Sequence, residues 1–146
     1  MSALNRTGHY NSLVRIHKQA LQLQTNYTPN VLGIYLLSRV LSDTPGIGQV
    51  AQRIRSQARA WYELFEHHPQ FQPFVPPGDN RSDTVVHLRG EADLVQAFKQ
   101  RCTQGGITIG SGYGPHKATG LRIANFPAHT EVDISRLRAV FEGFGG

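Results

Sequence analysis

Between Gly106 and Thr130 the chain reads GITIGSGYGPHKATGLRIANFPAHT, which gathers an arginine, a lysine, two histidines and a run of spaced glycines. Side chains alternate along a strand, so Arg122 shares a face with Ala124 and Phe126 while Leu121, Ile123 and Asn125 point the other way. An arginine between apolar positions is costly to bury unpaired. A planar carboxylate fits the guanidinium fork best, so Arg122 is a candidate anion ligand. A structural ion pair to an Asp or Glu would satisfy it as well, and the residues alone leave both readings open. Gly110, Gly112 and Gly114 could let the backbone approach a phosphate, with His116 and Lys117 just beyond as basic ligands. Their spacing matches neither a dinucleotide fingerprint nor a P-loop, and glycine loops of this kind serve as plain turns too.

No other cluster competes. The histidines His9, His17, His67, His68, His87, His116 and His129 lack the spacing of a zinc site, so no metal is expected. Ser12, Ser111 and Ser135 lack the small-residue elbow of a hydrolase nucleophile. Lys18, Lys99 and Lys117 are the three lysines, and two of them fall on expected helices with no sign of an activated amine. Cys102 stands alone, which excludes an internal disulfide and suits a reducing, cytoplasmic setting.

The elements that position this segment follow from periodicity. Leu13, Ile16, Ala20 and Leu23 predict a helix within Ser12 to Gln24. Thr28-Pro29 is a helix-start signal, the threonine as cap, and it opens the run NVLGIYLLSRVL, read as a deeply buried helix ending near Asp43. Val50, Ile54, Ala58, Trp61 and Phe65 form the apolar stripe of a helix from about Gly48 to His67, with Arg55 and Arg59 on its polar face. Pro69 to Ser82 reads as a loop, Thr84 to Leu88 as a strand, and Glu91 to Thr103 as a helix closed by Gly105 and Gly106. Short strands are expected at Ile107 to Ile109 and Leu121 to Phe126. Thr130 with Asp133 makes a capping box for a last helix on Ile134, Leu137 and Phe141. That order predicts an α+β fold, a small antiparallel sheet with helices packed on one face, preceded by a long apolar helix.

At 146 residues, 39% hydrophobic and 17% charged, the chain suits a globular domain with its own core. No apolar run spans a bilayer, and the amino-terminal residues MSALNRTGHY do not read as a secretory signal. The net charge of +5 invites an anionic partner. It is dispersed without interleaved aromatics, and a small phosphate or carboxylate ligand explains a local positive site as well as nucleic acid does, so net charge decides nothing between them.

The string GYGPHKATGLRIANFPAHT resembles the substrate-arginine segment of phosphoserine aminotransferases, which are class V, fold-type I pyridoxal-phosphate enzymes. QTNYTPNVLGIYLLSRVL resembles that family's T-P-N turn and the long apolar helix it opens, and GHYNSLVRIHKQA fits what precedes it. The resemblance covers nearly the whole chain. It implies residues 1–28 as a remnant of the large-domain or interdomain segment and residues 29–146 as the carboxyl-terminal small domain. It implies that Arg122 holds the α-carboxylate of the amino acid or oxo acid, and that His116 and Lys117 face the substrate's phosphate. Some relatives carry a His-Arg pair there, with one more residue before the arginine. Thr28 and Thr25 match polar residues that reach the cofactor phosphate of a neighbouring subunit.

By the same resemblance the parent reaction moves an amino group from glutamate to 3-phosphohydroxypyruvate, giving O-phosphoserine and 2-oxoglutarate in serine biosynthesis. The lysine that binds pyridoxal phosphate covalently would lie in a large domain preceding Met1, so no catalytic residue is assigned here. The chain alone is expected not to transaminate, and its partner would be that large domain or a homodimer mate. The alternatives are a non-catalytic small-anion-binding module and another class V specificity. Neither nucleic acid nor membrane is expected as a partner.

Overall fold

A computed structural model of the chain describes residues 12–78 and 80–144. Expectations that fall on residues 1–11, His9 among them, lie outside the described residues. The chain divides into two compact units, one ending at Pro45 and the other beginning at Gly46.

The first unit holds α1, Leu13–Ala20, and α2, Val31–Asp43. α1 stops before Leu23, whose positive φ of 56° breaks the helical path. The cap of α2 is Asn30 rather than Thr28: the Asn30 side chain accepts the Gly33 N–H at 2.9 Å. Thr28 stands two residues too far upstream to reach the second or third N–H of the helix. The expectation of deep burial is also corrected. Val31 and Leu41 are 66% exposed, and even Leu36 is 53% exposed. A helix apolar on most sides needs partners all round, and the short α1 offers too little surface for that.

The second unit opens with α3, Ile47–Glu66, which buries Val50, Ile54, Ala58, Trp61 and Phe65 along the expected stripe, with Tyr62 added. β1 (Gln72–Pro73) follows, then β2 (Val85–Arg89), α4 (Ala92–Gln104), β3 (Gly110–Ser111), a 3-10 turn (Gly114–His116), β4 (Gly120–Ala124) and α5 (Glu131–Glu142). The strands form one antiparallel sheet in the order β1-β2-β4-β3. Two strands differ from expectation. β1 lies inside the segment read as a loop, where Pro73 is tolerated because the strand is at the sheet edge. β3 falls at Gly110–Ser111 rather than Ile107 to Ile109 because Gly110 pairs with Arg122. A Cβ there would sit 3.2 Å from the Arg122 carbonyl oxygen, so glycine allows the close approach. Ile107 and Ile109 instead pack against the core.

The register divides the sheet into two unlike faces. Val86 pairs with Ile123 and Leu88 with Leu121, and all four side chains are buried. Against them lie Val95, Phe98 and Cys102 of α4 and Phe141 of α5, joined by Trp61 and Phe65 of α3. Ring centroids of Phe98 and Phe141 are 4.1 Å apart and those of Phe65 and Phe141 4.7 Å. A fully buried ring of this kind contributes on the order of 2–3 kcal/mol. The architecture is therefore α+β with helices on one face, as expected. α5 starts at a true capping box: Thr130 Oγ1 accepts the Asp133 N–H, and the Asp133 carboxylate accepts the Thr130 N–H at 2.9 Å. The opposite face carries Val85, His87, Arg122 and Ala124, paired Val85 with Ala124 and His87 with Arg122.

Candidate functional site

Arg122 stands on the face away from the helices, half-buried, as strand alternation requires. Its Nε donates to the Ser111 carbonyl at 2.6 Å, and its guanidinium carbon lies 3.9 Å from the centre of the Tyr113 ring. The ion pairs formed among the described residues are Arg39–Asp43, Arg55–Asp83 and Arg81–Glu66. Arg122 takes part in none of them, so the structural ion pair left open by the sequence is not what satisfies it. One edge of the fork is anchored, one face rests on an aromatic ring, and the remaining N–H groups are paired with no carboxylate among the described residues. Beside it a cavity of about 390 Å³ is lined by Gly110, Arg122, Ala124, Phe126 and His129, among others.

The strand that carries Arg122 is tied down on both sides. Asn125, fully buried and facing away from Arg122, donates to the carbonyls of Ile54 at 2.9 Å and Asp83 at 2.7 Å. Arg53 of α3 donates to the carbonyls of Pro127 and His129, holding the loop just beyond β4. Across the strand pair, His87 stacks on Phe74 with centroids 4.4 Å apart. Its Nε2 is buried with no hydrogen-bond partner among the described residues. Burial first, and then the nearby charges of His116 and Arg122, push the His87 imidazole below the usual histidine range.

The two basic residues read together from the sequence part company. His116, at the end of the 3-10 turn, packs edge-on to Phe74 at 4.8 Å and lines a cleft with Gln72, Arg89 and Thr119. Lys117, exposed, lines a different cleft with Lys99, Gln96, Gln100 and Thr103 of α4. Lys99 was not among the site residues expected from sequence. It is half-buried, and its ammonium donates to the Ser111 hydroxyl. The signal was present in the spacing: Lys99 lies four residues after Val95 and three before Cys102, both core positions of α4.

Thr25 and Thr28 belong to the first unit. The Thr25 hydroxyl donates to the Tyr27 carbonyl at 2.6 Å. Thr28 is exposed and precedes the capped start of α2. Among the described residues no group of three or more His, Cys, Asp or Glu is placed to hold a metal ion. No described helix is long and apolar enough to cross a membrane.

No protein-family model matches the chain, and no curated protein matches it in sequence. Solved structures do match. A phosphoserine aminotransferase from Cytophaga hutchinsonii is 26% identical with a TM-score of 0.82, the match covering 95% of this chain and 39% of that one. A phosphoserine aminotransferase from Bacillus circulans subsp. alkalophilus is 24% identical, TM-score 0.76, over 90% of this chain and 37% of that one. An aspartate aminotransferase of subgroup IV from Thermus thermophilus is 22% identical, TM-score 0.76, over 94% and 40%. The structural neighbours are thus phosphoserine aminotransferases and related fold-type I aminotransferases, and the chain spans about two fifths of their length.

Proposed function

We propose that this chain is the carboxyl-terminal part of an aminotransferase of the phosphoserine aminotransferase type, and that Arg122 is its substrate-carboxylate ligand. The observation that carries this reading is the Arg122 guanidinium, anchored by Ser111, backed by Tyr113 and lacking an acidic partner among the described residues. A guanidinium so held presents a preorganised fork to a planar carboxylate and loses little freedom when it binds one. The reaction proposed for the complete enzyme transfers the amino group of glutamate to 3-phosphohydroxypyruvate. Both substrates carry a carboxylate that Arg122 would orient. The setting would be serine biosynthesis in the cytoplasm.

Pyridoxal phosphate supplies the electron sink such a transfer requires. The residues this chain would bring to it are Thr28 and Thr25. Thr28 is exposed beside the amino-terminal end of a 13-residue helix, where free N–H groups and the helix dipole favour a phosphate. Thr25 would have to release the Tyr27 carbonyl to join it. Lys99 is engaged with Ser111, and neither Lys18 nor Lys117 matches the family's cofactor lysine, so the covalent attachment belongs to a large domain outside this chain. The chain alone is therefore expected not to transaminate.

Two measurements test the proposal. Calorimetric titration of the chain with glutamate should show binding that Arg122→Gln weakens by about tenfold or more, the scale of a charged hydrogen bond. Equal affinity of the two proteins would refute the assignment. Treatment with pyridoxal phosphate and borohydride, followed by mass spectrometry, should leave Lys18, Lys99 and Lys117 without a stoichiometric adduct. A full adduct on any of them would mean that this chain builds its own cofactor site.

A further inference from the structure

The cavity beside Arg122 opens where β3 gives out. β3 pairs with β4 only at Gly110 and Ser111, so β4 beyond Arg122 has no strand beside it on that edge. Through this gap the cavity of about 390 Å³ reaches both sides of the sheet. Arg122 and Ala124 line it from the open face, and Ile123, Ile134 and Leu137 from the helix-covered one. Arg122 Nη2 lies 3.5 Å from the point where a Cβ on Gly110 would stand, so the guanidinium lies over that glycine at the cavity wall. Much of the remaining wall is aliphatic. Ile107, Ile109, Ile134 and Leu137 are half-buried, each packed against the core and still bordering the cavity. The other charged groups of the wall are already engaged. The Asp133 carboxylate accepts the Thr130 N–H and hydroxyl in the cap of α5, and Arg136 donates to the Gly105 carbonyl. His129 lies nearly parallel to the Phe126 ring, with centroids 6.2 Å apart. A small molecule entering here meets one guanidinium fork next to an aliphatic surface, in a volume typical of small-ligand sites.

We infer that this cavity takes the apolar side chain of an amino or oxo acid whose carboxylate is held by Arg122. This rests on the reading of Arg122 proposed above and names a further class of acid for the same site. Every amino and oxo acid has the carboxylate, so Arg122 selects none of them; the surface next to it does the selecting. An aliphatic side chain would cover the open sides of Ile107, Ile109, Ile134 and Leu137 and remove them from water. A phosphate or second carboxylate in the same place would lose its water and find Arg136 engaged and Asp133 of like charge. The charged ends of the acids proposed above would therefore point elsewhere, and the two classes would share Arg122 and compete for it.

The test titrates 4-methyl-2-oxopentanoate, pyruvate and glutamate calorimetrically into the chain and its variants. The first has the carboxylate and oxo group of pyruvate on a branched apolar side chain, and should bind about tenfold more tightly than pyruvate. Leu137→Gln should cut that preference by about fivefold, and Leu137→Met should keep it. Ile107→Gln, on another part of the wall, reads the same loss should Leu137→Gln fail to fold. Arg122→Gln should weaken all three acids. Equal affinity for 4-methyl-2-oxopentanoate and pyruvate would overturn the inference, while the reading of Arg122 stands as long as Arg122→Gln weakens glutamate. A preference that survives both glutamine variants would overturn it too. If Arg122→Gln binds glutamate normally, or the unmodified chain binds none of the three acids, it is the reading of Arg122 that fails, and the inference falls with it.

Discussion

Gly112 and Gly120 face each other at the base of the basic turn, the Gly112 N–H donating to the Gly120 carbonyl at 2.9 Å. There is no room for a side chain at either. A Cβ on Gly112 would run into the His116 carbonyl oxygen, and one on Gly120 would lie 2.7 Å from His87 Nε2. The turn that carries His116 and Lys117 is thus seated on two bare backbones.

Gly112→Ala should lower stability by about 1–3 kcal/mol, the usual cost of overpacking. Because the obstacle is backbone, relief requires the turn to move, so anion affinity should fall as well. Urea denaturation and calorimetric titration read the two effects separately. Unchanged stability would mean that the turn is not seated as described.

Arg122→Gln should leave folding stability within about 1 kcal/mol, since the arginine makes one backbone hydrogen bond and one ring contact but takes part in no ion pair among the described residues. A loss of several kcal/mol in a denaturation midpoint experiment would reassign Arg122 to structure.

Acid should destabilise the second unit through two histidines. His68 Nδ1 accepts the N–H groups of Gln70 and Phe71, each at 3.2 Å, which only an unprotonated Nδ1 can do. Burial pushes both His68 and His87 below the usual histidine range. A depressed folded pKa means that the unfolded chain takes up the proton first. The stability these groups contribute is therefore complete above about pH 6.5, the unfolded value, and drains away as the pH falls towards their lower folded values. Urea midpoints measured from pH 8 to pH 5 should decline, and His68→Gln should flatten the decline. A level profile would contradict this.

Thr130→Ala should cost about 1 kcal/mol by removing the cap of α5. The loss should appear in a thermal melt. Restoring serine at the same position should recover most of it.

The apolar flank of α2 predicts self-association of the isolated chain. Ile34, Leu37 and Leu41 are each about 60% exposed or more, and contiguous apolar surface of this kind draws chains together. Sedimentation velocity should show the apparent mass rising with concentration, and Leu37→Glu should suppress the rise. A monomer at high concentration would count against the prediction.

Where one helix face meets one core, the sequence was readable. The α3 stripe, the Val95, Phe98 and Cys102 face of α4, the Thr130–Asp133 box and the alternation around Arg122 all follow from local spacing. What escaped depends on partners distant in the chain. Gln72–Pro73 is a strand because β2 offers it an edge, and two residues carry no period of their own. Gly110–Ser111 displaced the isoleucines because Arg122 demanded a glycine opposite. The spacing of Lys99 sets it on the core-facing side of α4, but its serine partner is brought within reach only by β3. The separation of His116 from Lys117 arises in a three-residue 3-10 turn, whose tight winding sends neighbouring side chains to different sides.

Cys102 lies wholly buried between α4 and the sheet, and burial pushes its thiol up to about 11. A protonated, shielded sulfur does not react with disulfide reagents or maleimides at neutral pH. As the chain contains one cysteine, every labelling event would date a single occurrence: the moment at which helix and sheet separate. The molecule thus carries its own stopwatch for core opening. The rate at which it takes up label under native conditions gives, without any engineered residue, the frequency with which the platform beneath Arg122 comes apart.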